Sequence, residues 1–211
     1  KNVNKKNIIK CDINNSNDLK LNIEKIKPKS VFNLVSYGAY SFEKDKRRIY
    51  QTNFNSLVEF TNILINYKIE SFIQAGSSSE YGSNCSRPNE NSKCNPNSDY
   101  AVAKLASTNY LKYIANQKNF PCTCLRLYSV YGKLEDSSRL IPNIIQKAYD
   151  NTYPLLVNKD ISRDFIHIDD VIEAFILSSV NIKKNPYGQI FNIGTGNKTT
   201  IEDLAYTIHA H

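Results

Sequence analysis

Apolar runs alternate with helical patterns along this chain. Short, near-continuous apolar or β-branched stretches at 7–11, 30–35, 71–75, 123–127 and 190–193 read as strands. Between and after them, apolar positions recur at helical spacing over 16–26, 52–67, 98–117, 139–149 and 169–180. A last helix begins near 200 and runs to 209, with Thr199 or Thr200 as its N-cap. This alternation predicts βαβ units and a parallel sheet. Strands that are apolar on both sides predict helices over both faces. The expected fold is therefore α/β, a doubly wound parallel sheet. Two loops break the rhythm. Residues 82–99 are rich in Ser, Asn, Pro and Cys and follow a strand end, where open α/β sheets bind ligands. Residues 131–138 lead into a segment expected to leave the main sheet. That divides the chain into a larger part, 1–132 with 161–188, and a small interleaved lobe, 133–160 with 189–211.

Composition changes this picture little. With 211 residues and 41% apolar content, the chain can bury one sizeable core. No window approaches the roughly 18 consecutive apolar residues of a membrane span, and residues 1–10 have no apolar core of a secretory leader behind their basic start. A cytoplasmic, membrane-free protein is the expectation. The net charge is +7, but the lysines are scattered rather than gathered in a stripe, so no nucleic-acid partner is expected. The short cluster from Lys44 to Arg48 reads as a helix surface. Five cysteines, Cys11, Cys85, Cys94, Cys122 and Cys124, match no zinc framework, and no metal site is expected. Cys122 and Cys124 are two apart in a strand and should share a face as small apolar residues.

One absence matters. A dinucleotide-binding fold opens with a strand, a Gly-rich turn and a helix. The chain has seven glycines and no such turn; Gly194-Thr195-Gly196 comes late and is followed by Asn197. The sequence reads as if an N-terminal βαβ phosphate-binding unit were missing, and it stops inside a helical pattern, as if part of the lobe were missing too.

The candidate chemistry lies in Tyr100-Ala-Val-Ala-Lys104. Positions i and i+4 share a helix face. An ammonium beside a phenol favours the phenolate and lowers its pKa from about 10 toward neutrality. Such a tyrosine can exchange a proton with a sugar hydroxyl while hydride leaves the same carbon. The spacing alone is weak, because Tyr40-Ser-Phe-Glu-Lys44 repeats it. Context separates the copies: a strand at 71–75 runs into Gly76-Ser-Ser-Ser-Glu-Tyr-Gly82 before Tyr100, and serines there can bond a reacting oxygen. Tyr40 has no such partner before it and reads as an exposed helix or loop residue.

With these pieces in place the sequence resembles the extended short-chain dehydrogenase/reductase family, whose members are nucleotide-sugar epimerases, dehydratases and reductases. The resemblance runs from Ile8 to about Ala210. It is carried by Asp12, Val31-Phe-Asn-Leu-Val35, Asn53, Ser77 to Gly82, Tyr100 to Lys104, Arg126-Leu-Tyr-Ser-Val-Tyr-Gly132, Arg163-Asp-Phe-Ile-His-Ile-Asp-Asp170 and Phe191-Asn-Ile-Gly-Thr-Gly196, all in order. It implies a Rossmann-like fold, NAD (with NADP open) as cofactor, a nucleoside-diphosphate sugar as substrate, and a homodimer packed through the helix near 98–117. Tyr100 would be the acid/base, Lys104 would hold the cofactor ribose and tune Tyr100, and Ser77 would be the catalytic hydroxyl. Asp12 would approach the adenine side of the cofactor, or be a turn residue. Leu34, Val35, Ser36 and Tyr37 would line the cofactor groove with Asn53, unless Asn53 bonds backbone near a helix start. Ser78, Ser79 and Ser129 would face substrate. Arg163 would reach its phosphate, or pair with Asp169 or Asp170.

Departures narrow the expectation. The sugar 4,6-dehydratases keep a Glu two residues before the Tyr-Gly pair; here that position is Ser79, and Glu80 is shifted by one. Hydroxyls are poor bases, so epimerisation or keto reduction ranks above dehydration. Epimerase-like members carry Asn where Ser129 stands. The expected function is C4 epimerisation of a nucleotide sugar. The alternatives are an NADPH-dependent 4-ketoreductase, a non-catalytic cofactor-binding relative, and an inactive fragment.

Overall fold

A computed structural model describes residues 4–83, 86–152 and 161–209. Its centre is a four-stranded, all-parallel sheet in the order β1 (Ser30–Asn33), β2 (Ser71–Ser77), β3 (Cys122–Leu127), β7 (Gln189–Ile193). Two short ribbons lie beyond β3: β4 (Ser129–Tyr131) pairs parallel with β6 (Phe165–His167), and β5 (Ser162–Arg163) pairs antiparallel with β8 (Thr199–Thr200).

Helices cover both faces, and period-2 alternation along β2 and β3 explains why. Phe72 and Cys122 point to one side, into a core with Leu19 and Ile23 of α1 (Ser16–Ile26), Leu57, Phe60 and Leu64 of α3 (Ser56–Ile65), and Leu111 and Ile114 of α4 (Asp99–Lys118). Ile73, Ala75 and Leu125 point to the other, onto Val171 and Phe175 of α6 (Ile168–Val180). Leu64, Phe72 and Leu125 are fully buried, each contributing about 1.5–3 kcal/mol by removal from water. Cys124 lies on the Cys122 side, with Sγ 3.3 Å from Thr108 Oγ1 of α4. α1 begins on Asn15, whose side chain accepts from Asn17 N and Asp18 N, and ends on Lys27 in the left-handed region. The remaining helices, α2 (Lys46–Tyr50), α5 (Leu140–Tyr149) and α7 (Ile201–His209), are amphipathic or short.

The structure departs from expectation in four places. Residues 7–11 form no strand: Lys5–Asn7 is a 3-10 turn and Ile8 and Ile9 are exposed, because among the described residues no strand of the sheet lies beside them to share hydrogen bonds. β1 stops at Asn33 rather than at 35, since the Asn33 side chain accepts from Val35 N at 3.3 Å and turns the chain out of the sheet. The helix expected at 52–67 starts earlier, at Lys46 on the Asp45 cap, and passes through a π-helical turn at Gln51–Asn55. Gln189–Ile193, assigned to the lobe, is the fourth strand of the central sheet.

Candidate active site

The site is built where β2 ends and α4 begins. Ser98 caps α4, its side chain accepting from Ala101 N at 3.2 Å, so Tyr100 lies in the first turn. Tyr100 is half-buried, and Lys104, one turn on, is only 2% exposed. The Lys104 ammonium lies 5.7 Å from the centroid of the Tyr100 ring and donates to Ala75 O at 3.1 Å. Ala75 is two residues before Ser77 on the same face of β2, so one lysine ties the tyrosine helix to the serine strand. An ammonium has three donors, and Ala75 O is the acceptor this one reaches among the described residues. A buried charge with spare donors is costly unless a ligand supplies oxygens, which fits ribose hydroxyls. Gly38, at φ +96°, lets the loop after β1 pass close to Tyr100: an added Cβ would stand 2.7 Å from Ile49 Cγ1 and 3.5 Å from Tyr100 Cδ2. The other Tyr-Lys pair is not on a helix. Tyr40 lies in a loop, stacked on Phe42 at 5.1 Å, with the Arg139 guanidinium 5.4 Å away.

Ser77 ends β2 and caps the 3-10 turn Ser78–Tyr81. Its Oγ accepts from Ser79 N at 3.2 Å and lies 2.7 Å from Ser79 Oγ. Ser77 N donates to Glu80 Oε1 at 3.0 Å, completing a capping box. Glu80 is fully buried, and its Oε2 accepts from Arg126 Nε at 2.8 Å. Burial pushes the Glu80 carboxyl up, and Arg126 and Ser77 N–H pull against that. Burial likewise opposes the Arg126 charge, but Glu80 more than offsets it and holds the guanidinium above its usual range. We read the pair as ionised at neutral pH, because the guanidinium stays protonated and faces the carboxylate at hydrogen-bond distance. The sequence contains the Ser77-x-x-Glu80 spacing of this box; the shift of Glu80 was visible, but its burial and its partner were not.

The expected cofactor residues fall into two groups. Asp12 is exposed and forms its own turn, accepting from Asn14 N at 3.0 Å. It borders an open cleft of about 1140 Å³ that also reaches Arg48 and Gln51 but not Tyr100. Leu34 and Val35 are exposed. Asn53, 3% exposed, grips the turn that follows them: Nδ2 donates to Tyr37 O at 2.6 Å and Ile49 O at 2.8 Å, and Oδ1 lies 3.3 Å from both Tyr37 N and Ser36 Oγ. Its bonds thus go to the backbone of Tyr37 and Ile49 and to the Ser36 hydroxyl.

Of the expected substrate residues, Ser78 and Ser79 sit half-buried in the turn after Ser77. Ser129 opens β4, its N–H donating to Asp164 O at 2.9 Å. Arg163 is exposed on β5, and no ion pair links it to Asp169 or Asp170 among the described residues; Asp169 instead lies 3.6 Å from His167 Nδ1. A residue given no role from sequence, Asp164, orders the 194–196 turn by accepting from Thr195 N, Thr195 Oγ1 and Gly196 N, each at 2.8 Å.

Known proteins resemble this chain in sequence and in fold. The human dTDP-D-glucose 4,6-dehydratase is 29% identical over 140 residues, 65% of this chain and 39% of the human protein. The Escherichia coli dTDP-4-dehydro-6-deoxyglucose reductase is 28% identical over 132 residues, 61% of this chain and 41% of that one. The chain thus spans about two fifths of the length of these relatives. Among solved structures, a UDP-glucose 4-epimerase of Thermotoga maritima, solved with UDP-glucose, superposes with a TM-score of 0.90 at 22% identity, covering 99% of this chain and 69% of that one, which shows the Rossmann-like fold. The sequence profile of the NAD dependent epimerase/dehydratase family matches residues 1–194, and the chain belongs to that family of enzymes.

Proposed function

We propose that this chain carries the acid/base machinery of an NAD-dependent 4-epimerase acting on a nucleoside-diphosphate sugar. Tyr100 takes the proton of the C4 hydroxyl and later returns one, and Ser77 Oγ bonds the same oxygen. Bound NAD supplies the site that accepts and gives back hydride. Lys104 would hold its ribose, with Leu34, Val35, Ser36 and Tyr37, set by Asn53, along its groove and Asp12 toward its adenine. Ser78, Ser79, Ser129 and Arg163 would contact the sugar and its diphosphate. The proposed division of labour keeps 1–132 and 161–188, with strand β7, for cofactor and 133–160 with the residues after β7 for substrate, in a cytoplasmic homodimer packed through α4.

The observation that carries this reading over dehydration is the state of Glu80. Water elimination beside a carbonyl needs a base within reach of the substrate. Glu80 has no exposed surface and both oxygens engaged, and Ser79 holds the place a dehydratase gives to its glutamate. Retention of Ser77, Tyr100 and Lys104 together speaks against a non-catalytic relative. The test uses the full-length protein with NAD and UDP-glucose. Tyr100→Phe should lower turnover to the C4 epimer by about 10²–10⁴-fold while leaving NAD affinity within a few-fold. Unchanged turnover would overturn the assignment of Tyr100. Release of one oxidised cofactor per turnover would replace the epimerase with a reductase.

A further inference from the structure

We infer that Glu80, clamped by Arg126, is a positioning residue for Ser77: it fixes the serine by its backbone and touches no substrate itself. The inference rests on the reading of Ser77 as the catalytic hydroxyl.

Ser77 sits where β2 leaves the sheet. β1 pairs with β2 only as far as Gln74, so on that side the ladder has ended three residues earlier. Beyond that point Ser77 N–H finds its acceptor in Glu80 Oε1, at 3.0 Å. A carboxylate can stand this close because Gly76 has no side chain: an added Cβ there would lie 3.0 Å from Glu80 Oε1 and 2.7 Å from Cys124 Sγ. Gly76 is also the register partner of Arg126 on β3, so the gap it leaves is where the guanidinium and carboxylate meet. Glu80 alone could not keep a charge in so dry a place; Arg126, with a side chain 3% exposed, supplies the counter-charge at 2.8 Å.

Arg126 is fixed in turn. Its Nη2 lies 3.3 Å from Cys94 Sγ, its Nη1 3.5 Å from Glu90 O, and its guanidinium 4.6 Å from the Tyr81 ring centroid. Tyr81 OH donates to Asn192 Oδ1 at 2.8 Å, and Asn192 N donates to Glu90 Oε1 at 2.9 Å. The loop after Gly82 is thereby bound to β3 and β7 through the same ion pair that sets Ser77. A merely structural pair would contribute to stability wherever it stood; this one ends on the amide of the serine.

A double-substitution cycle in the full-length protein, with NAD and UDP-glucose as probes, separates the two. Glu80→Asp keeps the charge opposite Arg126 but withdraws the acceptor from Ser77 N–H. It should lower kcat by about 10–100-fold, the scale of a misplacement near one ångström, with KM changed less than about 3-fold. In a Ser77→Ala background the same substitution should change kcat by less than about 2-fold. Equal losses in both backgrounds would overturn the inference while leaving the site reading intact. A Ser77→Ala variant with unchanged kcat would instead sink the site reading. If Glu80→Asp does not fold, Glu80→Gln, whose single amide oxygen can serve Ser77 N–H or Arg126 but not both, goes through the same cycle, and its loss should again appear only where Ser77 is present. Independently of turnover, the Ser77 amide proton should exchange at least about 10-fold faster in Glu80→Asp; a wild-type rate would overturn the inference by itself.

Discussion

Asn53→Asp changes one NH2 group into an oxygen, and the structure says how much that should matter. Nδ2 of Asn53 donates to Tyr37 O at 2.6 Å and to Ile49 O at 2.8 Å. Both bonds vanish in the ionised variant, at about 0.5–1.5 kcal/mol each. The new oxygen then faces two carbonyl oxygens, at a position 3% exposed, where an uncompensated charge adds a further few kcal/mol. The expected loss at pH 8 is about 3–5 kcal/mol. The sign of the pH dependence follows. Burial among acceptors raises the introduced carboxyl above its unfolded value of about 3.9. A group raised in the folded state supports folding most below its unfolded pKa, and that support is lost as pH rises through the folded pKa. Between pH 5 and 8 the unfolded chain holds the charge while the native one resists it, so the variant should lose stability with rising pH, by at most about 1.4 kcal/mol per unit. Asn53→Ala loses the same bonds without a charge and should show no such slope relative to wild type. Urea unfolding at pH 5, 6.5 and 8, for wild type and both variants, reads this directly. A variant curve parallel to wild type, or a loss below about 1 kcal/mol at pH 8, would refute the bonding described for Asn53. Under the proposed groove role of Ser36 and Tyr37, NAD affinity should weaken as well, because Asn53 bonds both of them.

Two further outcomes are expected. Burial pushes the Cys124 thiol up to about 12, with Glu80 adding to the shift. Its contribution is fully present below the unfolded pKa near 9 and is lost as pH rises toward 12, so wild type should lose up to about 1.4 kcal/mol per unit more than Cys124→Ala across that window; parallel urea midpoints at pH 8, 9.5 and 10.5 would contradict it. Asp164→Ala should free the 194–196 turn, at roughly 1–3 kcal/mol for its partly exposed bonds. Amide exchange at Thr195 and Gly196 should rise while α4 stays protected, and unchanged exchange at both would show that Asp164 does not order the turn.

What the sequence disclosed depended on the range of the interaction that decides each feature. Local signals were legible. The i, i+4 spacing of Tyr100 and Lys104 puts both on one face of α4, and alternation along 71–75 separates Phe72 from Ile73 on opposite sides of the sheet. Residues 7–11 show the limit: apolar character made them a strand candidate, but a strand exists only beside a partner, and Ile8 and Ile9 stand exposed without one. Asn53 shows a second limit. Its place near a helix start suggested backbone bonding, but the bonded backbone includes Tyr37, 16 residues away, and only the closure of the loop brings it there. Glu80 and Arg126 are 46 positions apart. Each is an ordinary charged residue that sequence reasoning places at the surface by default. Their burial follows from Gly76 and from the register of β2 against β3, neither of which a single segment encodes. The same register brings the end of β2 beside β3, where Arg126 can reach the box that Ser77 caps. The proposed acid/base tyrosine and its lysine thus share one helix face, with a single bond from Lys104 to β2, whereas the serine depends on two strands, a turn and a buried ion pair. Substitutions that disturb catalysis without touching ligand should therefore concentrate around Ser77 rather than around Tyr100.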